Sequence, residues 1–193
     1  MEASRETVFI LDFGSQYTQL IARRIREQNV FSQIVHHSVS LSEVNQIKPA
    51  AIILSGGPSS VYGDDVPEFD DGILDLDIPV LGICYGLQLM MNHFGGKVHS
   101  NGIGEYGFAK IHHEPDSRLL AQVSDDSQVW MSHGDEVDSV PNDWNISAKS
   151  SNGIVAVVEH KDRPLFGTQF HPEVIHTEEG KRILRNFLFT EAH

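Results

Sequence analysis

Three short segments carry residues whose types and spacing could do covalent chemistry. The first surrounds Cys84, the only cysteine of the chain, in Gly82-Ile83-Cys84-Tyr85-Gly86. A thiolate attacks carbonyl carbon readily. The second is His171-Pro172-Glu173, a base with a carboxylate two positions on. Such a carboxylate can fix the imidazole tautomer and stabilise its cation. The third is Ser55-Gly56-Gly57-Pro58. A glycine-rich turn of this kind can aim a backbone N–H at a developing oxyanion, and the N–H of the residue after the nucleophile supplies a second donor. Read together, Cys84 attacks an acyl carbon and His171 moves the proton. Glu173 orients His171, and a backbone N–H of Gly56-Gly57 with that of Tyr85 forms the oxyanion hole.

Each piece also has a plainer reading. A lone cysteine is commonly a small buried side chain. Ser55-Gly56-Gly57-Pro58 reads equally as a tight turn, and it lacks the Gly-Lys-Ser/Thr ending of a phosphate loop. His171, Glu173 and His176 carry donor atoms that suit zinc, but no further ligand stands out. The pairs His36-His37 and His112-His113 show no readable pattern. Position favours the catalytic reading, because all three segments fall at the ends of strand-like runs.

The elements that must position them follow from periodicity. Residues 80–83 form a short apolar run and residues 87–91 are good helix formers. Cys84 therefore stands where a strand turns sharply into a helix, the nucleophile-elbow position. The flanking glycines leave room for so tight a turn. The helix N-terminus favours negative charge, hence the thiolate. Residues 8–11 and 51–54 are further continuous apolar runs, and 31–35 is another strand candidate. Leu20, Ile21 and Ile25 recur at helical spacing. Ser40 or Ser42 caps a short helix, which Pro49 ends. Strands without apolar–polar alternation, interleaved with helices, predict a parallel sheet covered on both faces.

After residue 96 the pattern changes. Short strand-like pieces at 97–99, 108–111, 129–131, 146–148 and 154–158 alternate with turn residues, some expected to extend the main sheet and some to form a small antiparallel addition. One more strand, 165–168, leads into Gln169-Phe170-His171. Residues 178–189 read as a closing amphipathic helix. The expected fold is α/β: a mostly parallel open sheet flanked by helices on both faces, with a small antiparallel addition. One domain over residues 1–193 is the simplest division.

Composition narrows the function classes. Net charge is -13 over 193 residues, which argues against nucleic acid or an anionic membrane as partners. Asp135 and Glu136 are candidates for meeting a basic partner surface. One cysteine permits no internal disulfide and suits a reducing, cytoplasmic setting. Residues 1–6 are polar and resemble neither a signal nor a transit peptide. No apolar run reaches the roughly 18 residues that span a bilayer.

The three segments resemble the motifs of the class I (triad) glutamine amidotransferases, and the resemblance covers nearly the whole chain. Within that family, Asp12-Phe13-Gly14-Ser15-Gln16-Tyr17, Met131-Ser132-His133-Gly134-Asp135 and Val174-Ile175-His176-Thr177 are similar to the glutaminase of GMP synthases. The resemblance implies hydrolysis of L-glutamine to glutamate and ammonia through a thioester on Cys84, with His171 and Glu173 completing the triad. It implies that Gly57 and Tyr85 are the oxyanion donors and that Gln88 and the Ser132-His133 backbone hold the amino-acid end of glutamine. It further implies an ATP-pyrophosphatase partner, as a fused domain or a separate subunit, that adenylates XMP and aminates it to GMP. ATP and magnesium belong to that partner, and no cofactor is expected in this chain. The start of the chain is more similar to the fused type. Activity without the partner is expected to be low. Glutaminases of other synthases, a binding subunit without catalysis and a cysteine peptidase are the competing classes. The filled triad positions argue against the binding subunit, and the Gln169-Phe170-His171-Pro172-Glu173 segment argues against the peptidase.

Overall fold

The computed structural model describes residues 6–191. The reading of the polar N-terminus as no leader peptide falls mostly on residues 1–5, outside the described residues. Along the chain run β1 (Thr7–Asp12), α1 (Thr18–Arg26), β2 (Phe31–His36), α2 (Leu41–Ile47) and β3 (Ala51–Leu54). A 3-10 turn (Asp71–Asp75) precedes β4 (Val80–Ile83) and α3 (Tyr85–His93). Then come β5 (Lys97–His113), β6 (Ser127–Ser139), β7 (Trp144–Ser150), β8 (Val155–His160), β9 (Leu165–Thr168) and α4 (Gly180–Asn186). A π-helical turn, Phe187–Glu191, follows α4.

Among the described residues the nine strands join one sheet in the order β2-β1-β3-β4-β9-β8-β7-β5-β6. The first five in that order are parallel neighbours. Residues of β3, β4 and β9 are buried throughout, as expected where helices cover both faces of a parallel sheet. One face packs on Ile21, Ala22 and Ile25 of α1 and on Ile183 and Leu184 of α4. The other packs on Val44 of α2 and on Leu87, Met90 and Met91 of α3. Ser40 caps α2 through a reciprocal pair with Glu43, which satisfies donors the helix start leaves free.

The antiparallel part extends the main sheet: β8, β7, β5 and β6 continue it edge to edge. The pieces expected at 97–99 and 108–111 belong to one strand, β5. Gly102, Gly104 and Gly107 adopt positive φ along it, and the β5–β6 register shifts between Ser100 and Glu105. Glycines break the apolar signal without ending the strand. β6 alternates buried and partly exposed residues along its first half, the pattern of a strand with one face on the core.

Candidate active site

The adjacency of β3, β4 and β9 brings the three chemical segments together. All three strands run parallel, so their carboxyl ends open on the same edge, where α/β sheets bind ligands. The Cys84 N–H donates to the Thr168 carbonyl at 2.7 Å. This stitches the start of the elbow to the end of β9, three residues before His171.

Cys84 takes φ 54 and ψ -105. A non-glycine residue held there stores about 1–3 kcal/mol of strain. The glycines permit it by close approach. A Cβ on Gly82 would lie 2.6 Å from the Gly86 carbonyl carbon, and one on Gly86 would collide with the Leu54 carbonyl oxygen. The elbow therefore packs backbone on backbone against itself and against β3. Cys84 is nearly buried but lines the cavity described below.

His171 and Glu173 are also buried. His171 Nδ1 donates to Glu173 Oε1 at 2.7 Å. Several contacts fix the segment: the His171 N–H donates to the Trp130 carbonyl at 3.0 Å, Thr177 Oγ1 donates to the His171 carbonyl at 2.6 Å, and Arg24 Nε donates to the Glu173 carbonyl at 2.9 Å. The Tyr17 ring meets the imidazole edge-on with centroids 5.2 Å apart. Burial works against the His171 cation, but the Glu173 carboxylate and the Cys84 sulfur outweigh it and push the pKa up to about 10. The ring is thus cationic at neutral pH, the natural partner of a thiolate.

Gly56 and Gly57 cross beside this pair. A Cβ on Gly56 would lie 3.2 Å from His171 Cε1 and 3.6 Å from Cys84 Cβ. One on Gly57 would collide with the Phe13 carbonyl oxygen. Among the described residues, neither the Gly57 nor the Tyr85 N–H has a protein acceptor. Two cavities meet at Cys84 and share Gly57, Pro58 and Ser132. One, of about 300 Å³, extends toward Ser15, Gln16 and Tyr17. The other, of about 260 Å³, extends toward Gln88, His133 and Asp135. The geometry brings together a thiol, an imidazole hydrogen-bonded to a carboxylate, and two backbone N–H groups beside open cavities.

Comparison with known proteins now decides the family. The family model described as glutamine amidotransferase class-I matches residues 9–190. The chain belongs to the class-I glutamine amidotransferase family. A glutamine-hydrolysing GMP synthase of Thermobifida fusca (strain YX) is 48% identical over 191 residues, 99% of this chain and 36% of that protein. One of Prochlorococcus marinus (strain MIT 9515) is 51% identical over 185 residues, 95% of this chain and 35% of the other. The chain thus spans about a third of the length of these relatives. Among solved structures, a protein described as a GMP synthase subunit from Thermoplasma acidophilum superposes with a TM-score of 0.83 at 32% identity, covering 94% of this chain and 92% of that one. A glutamine amidotransferase from Thermotoga maritima shares the fold, with a TM-score of 0.74 at 19% identity over 98% and 99% of the two chains.

In this amidotransferase the three substrate-binding candidates all border the second cavity. The Ser132 carbonyl stands 3.6 Å from Cys84 Sγ. The Gln88 Nε2 amide donates to the Asp135 carbonyl at 2.9 Å. His133 Nδ1 donates to the same carbonyl at 2.8 Å, and its Nε2 faces Glu105 at 3.4 Å. Gln88 and His133 therefore shape the cavity partly by holding one backbone carbonyl. The His176 ring meets that of Trp130 at a tilt, with centroids 4.8 Å apart. Asp135 and Glu136 are engaged within the chain. The Asp135 carboxylate accepts from Ser60 at 2.6 Å and from Tyr62 at 2.9 Å, and Glu136 faces His99 at 3.5 Å.

Sequence reasoning gave no role to Tyr17, Gln169 or Asp135 in the site. Tyr17 and Asp135 lie in segments quoted for the resemblance, and Gln169 lies two residues before His171. Their contacts cross from one element to another, which spacing along the chain does not reveal.

Proposed function

We propose that this chain hydrolyses L-glutamine to glutamate and ammonia, and that the ammonia passes to an ATP-pyrophosphatase domain or subunit that converts XMP to GMP. One observation carries the reading. A strained cysteine elbow and His171, hydrogen-bonded to the buried Glu173, face one cavity, in a chain about half identical to the matched part of GMP synthases.

The steps follow from the charges. The Cys84 thiolate attacks the carboxamide carbon, forming the C–S bond as the carbonyl π pair moves to oxygen. The N–H groups of Gly57 and Tyr85 hold that oxyanion. The intermediate collapses with cleavage of the C–N bond, and the His171 cation gives its proton to the leaving nitrogen, releasing ammonia. Neutral His171 then takes a proton from water as the oxygen adds to the thioester. Collapse expels the thiolate, leaving glutamate and the original ion pair. Glu173 keeps Nδ1 protonated throughout, so Nε2 is the exchanging nitrogen. Gln88, Ser132 and His133 surround the amino-acid end of the substrate. ATP and magnesium act on the partner, not here.

The test combines the chain with the synthetase portion of a GMP synthase, XMP and magnesium-ATP. Glutamine-dependent GMP formation is expected. It is lost in Cys84→Ala, while an ammonium salt still supports it. Failure of glutamine to support GMP formation, in a mixture that uses ammonium, contradicts the assignment.

A further inference from the structure

The Gln169 side chain is fully buried and belongs to no part of the chemistry described so far. Its Nε2 lies 3.7 Å from Cys84 Sγ, and its Oε1 lies 3.3 Å from Gln88 Nε2. Amide oxygen and nitrogen are assigned from their hydrogen bonds, and here the network leaves one consistent assignment. The Asp135 carbonyl can only accept, so the Gln88 group that meets it is the NH2. That same NH2 faces Gln169, so the Gln169 atom opposite it is the oxygen. The Gln169 NH2 is then left pointing at sulfur. His133 Nδ1 holds the Asp135 carbonyl from another side, which anchors the origin of the chain of amides.

We infer that Gln169 is a further catalytic residue, an oriented N–H donor that holds the Cys84 sulfur as thiolate. The inference rests on the thiolate chemistry proposed above. A donor whose orientation is fixed by two other groups cannot turn to accept from a thiol, so it favours the anion. It offsets the Ser132 carbonyl, which lies 3.6 Å from Sγ and accepts from the thiol form. His171 supplies the positive charge and Gln169 supplies a neutral donor. The sulfur therefore keeps a hydrogen bond after His171 has given its proton to ammonia.

The titratable groups around the sulfur are few. His171 faces it, with Glu173 behind the ring and Tyr17 on the ring edge. His133 and Glu105 reach it only through the amides. The Asp135 carboxylate is turned to Ser60 and Tyr62.

Cys84 is the only cysteine, so iodoacetamide alkylation reports on it alone. The rate is measured from about pH 5 to about pH 9 in the wild type and in Gln169→Met, which keeps volume and removes the donor. The midpoint is expected to rise by about one unit in Gln169→Met, with the melting temperature near that of the wild type. An unmoved midpoint in folded Gln169→Met overturns the inference. If Gln169→Met does not fold, Gln88→Met decides. It frees the Gln169 amide to turn, so a smaller upward shift is expected, and no shift overturns the inference. Alkylation needs no glutamine. A wild type that releases glutamate with an unmoved variant midpoint therefore sinks only the Gln169 role. A moved midpoint with no glutamate release sinks only the proposed function.

Discussion

His171 carries the clearest electrostatic signature among the residues of the site. Its pKa stands near 10 against an ordinary value of 6.5, held up by Glu173 and the sulfur against the cost of burial. Replacing Glu173 with glutamine keeps the shape and removes the charge. The His171 ring resonances in a proton NMR titration are expected to move from about 10 well down toward 6.5 in that variant. The sign for stability follows from linkage. Below about 6.5 both folded and unfolded chains hold the proton, and the stabilisation is complete. Between 6.5 and about 10 only the folded chain holds it, so stability falls as pH rises. Urea midpoints are expected to decline across that window in the wild type and to decline less in Glu173→Gln. Equal slopes refute the coupling. At this scale much was legible. The two-residue spacing of His171 and Glu173 survives in the structure as a 2.7 Å hydrogen bond. The Gln169 contact was not legible, because it joins the end of β9 to a side chain of α3 and needs both in place.

At the scale of elements, the elbow works because β3, β4 and α3 approach through glycines. Gly86→Ala drives a methyl group into the Leu54 carbonyl, and neither backbone can yield cheaply. A loss of about 2–4 kcal/mol is expected from such a clash, read as a lower urea midpoint. Gly95 is the contrast. It sits at φ 89 with open space around its missing Cβ, so Gly95→Ala is expected to cost only about 1 kcal/mol, from backbone strain alone. Similar losses at the two positions would contradict the packing account. The parallel strands were readable because burial on both faces makes them continuous apolar runs, as in 51–54 and 80–83. The length of β5 was hidden by Gly102, Gly104 and Gly107, and the 3-10 turn at Asp71–Asp75 lies in an acidic stretch without helical periodicity.

For the whole molecule, the sheet has two functions divided along its width. The parallel side carries Cys84 and His171, the proposed nucleophile and base, beyond the ends of β4 and β9. The antiparallel side, through β5 and β6, closes the second cavity with Ser132, His133 and Asp135. Among the described residues no helix is long and apolar enough to cross a membrane. The chain spans about a third of the length of its GMP synthase relatives, and the proposed function has its ammonia consumed by a synthetase portion. Glutamate release is accordingly expected to increase at least several-fold when the synthetase portion, XMP and magnesium-ATP are added, as measured by coupled glutamate oxidation. An unchanged rate would separate the glutaminase from that partner.

The most direct measurement is glutamate release from L-glutamine by the chain itself, compared between the wild type and Cys84→Ala. The account predicts turnover in the wild type and a loss of at least about a thousandfold in Cys84→Ala, with both proteins folded. Full turnover by Cys84→Ala would contradict it.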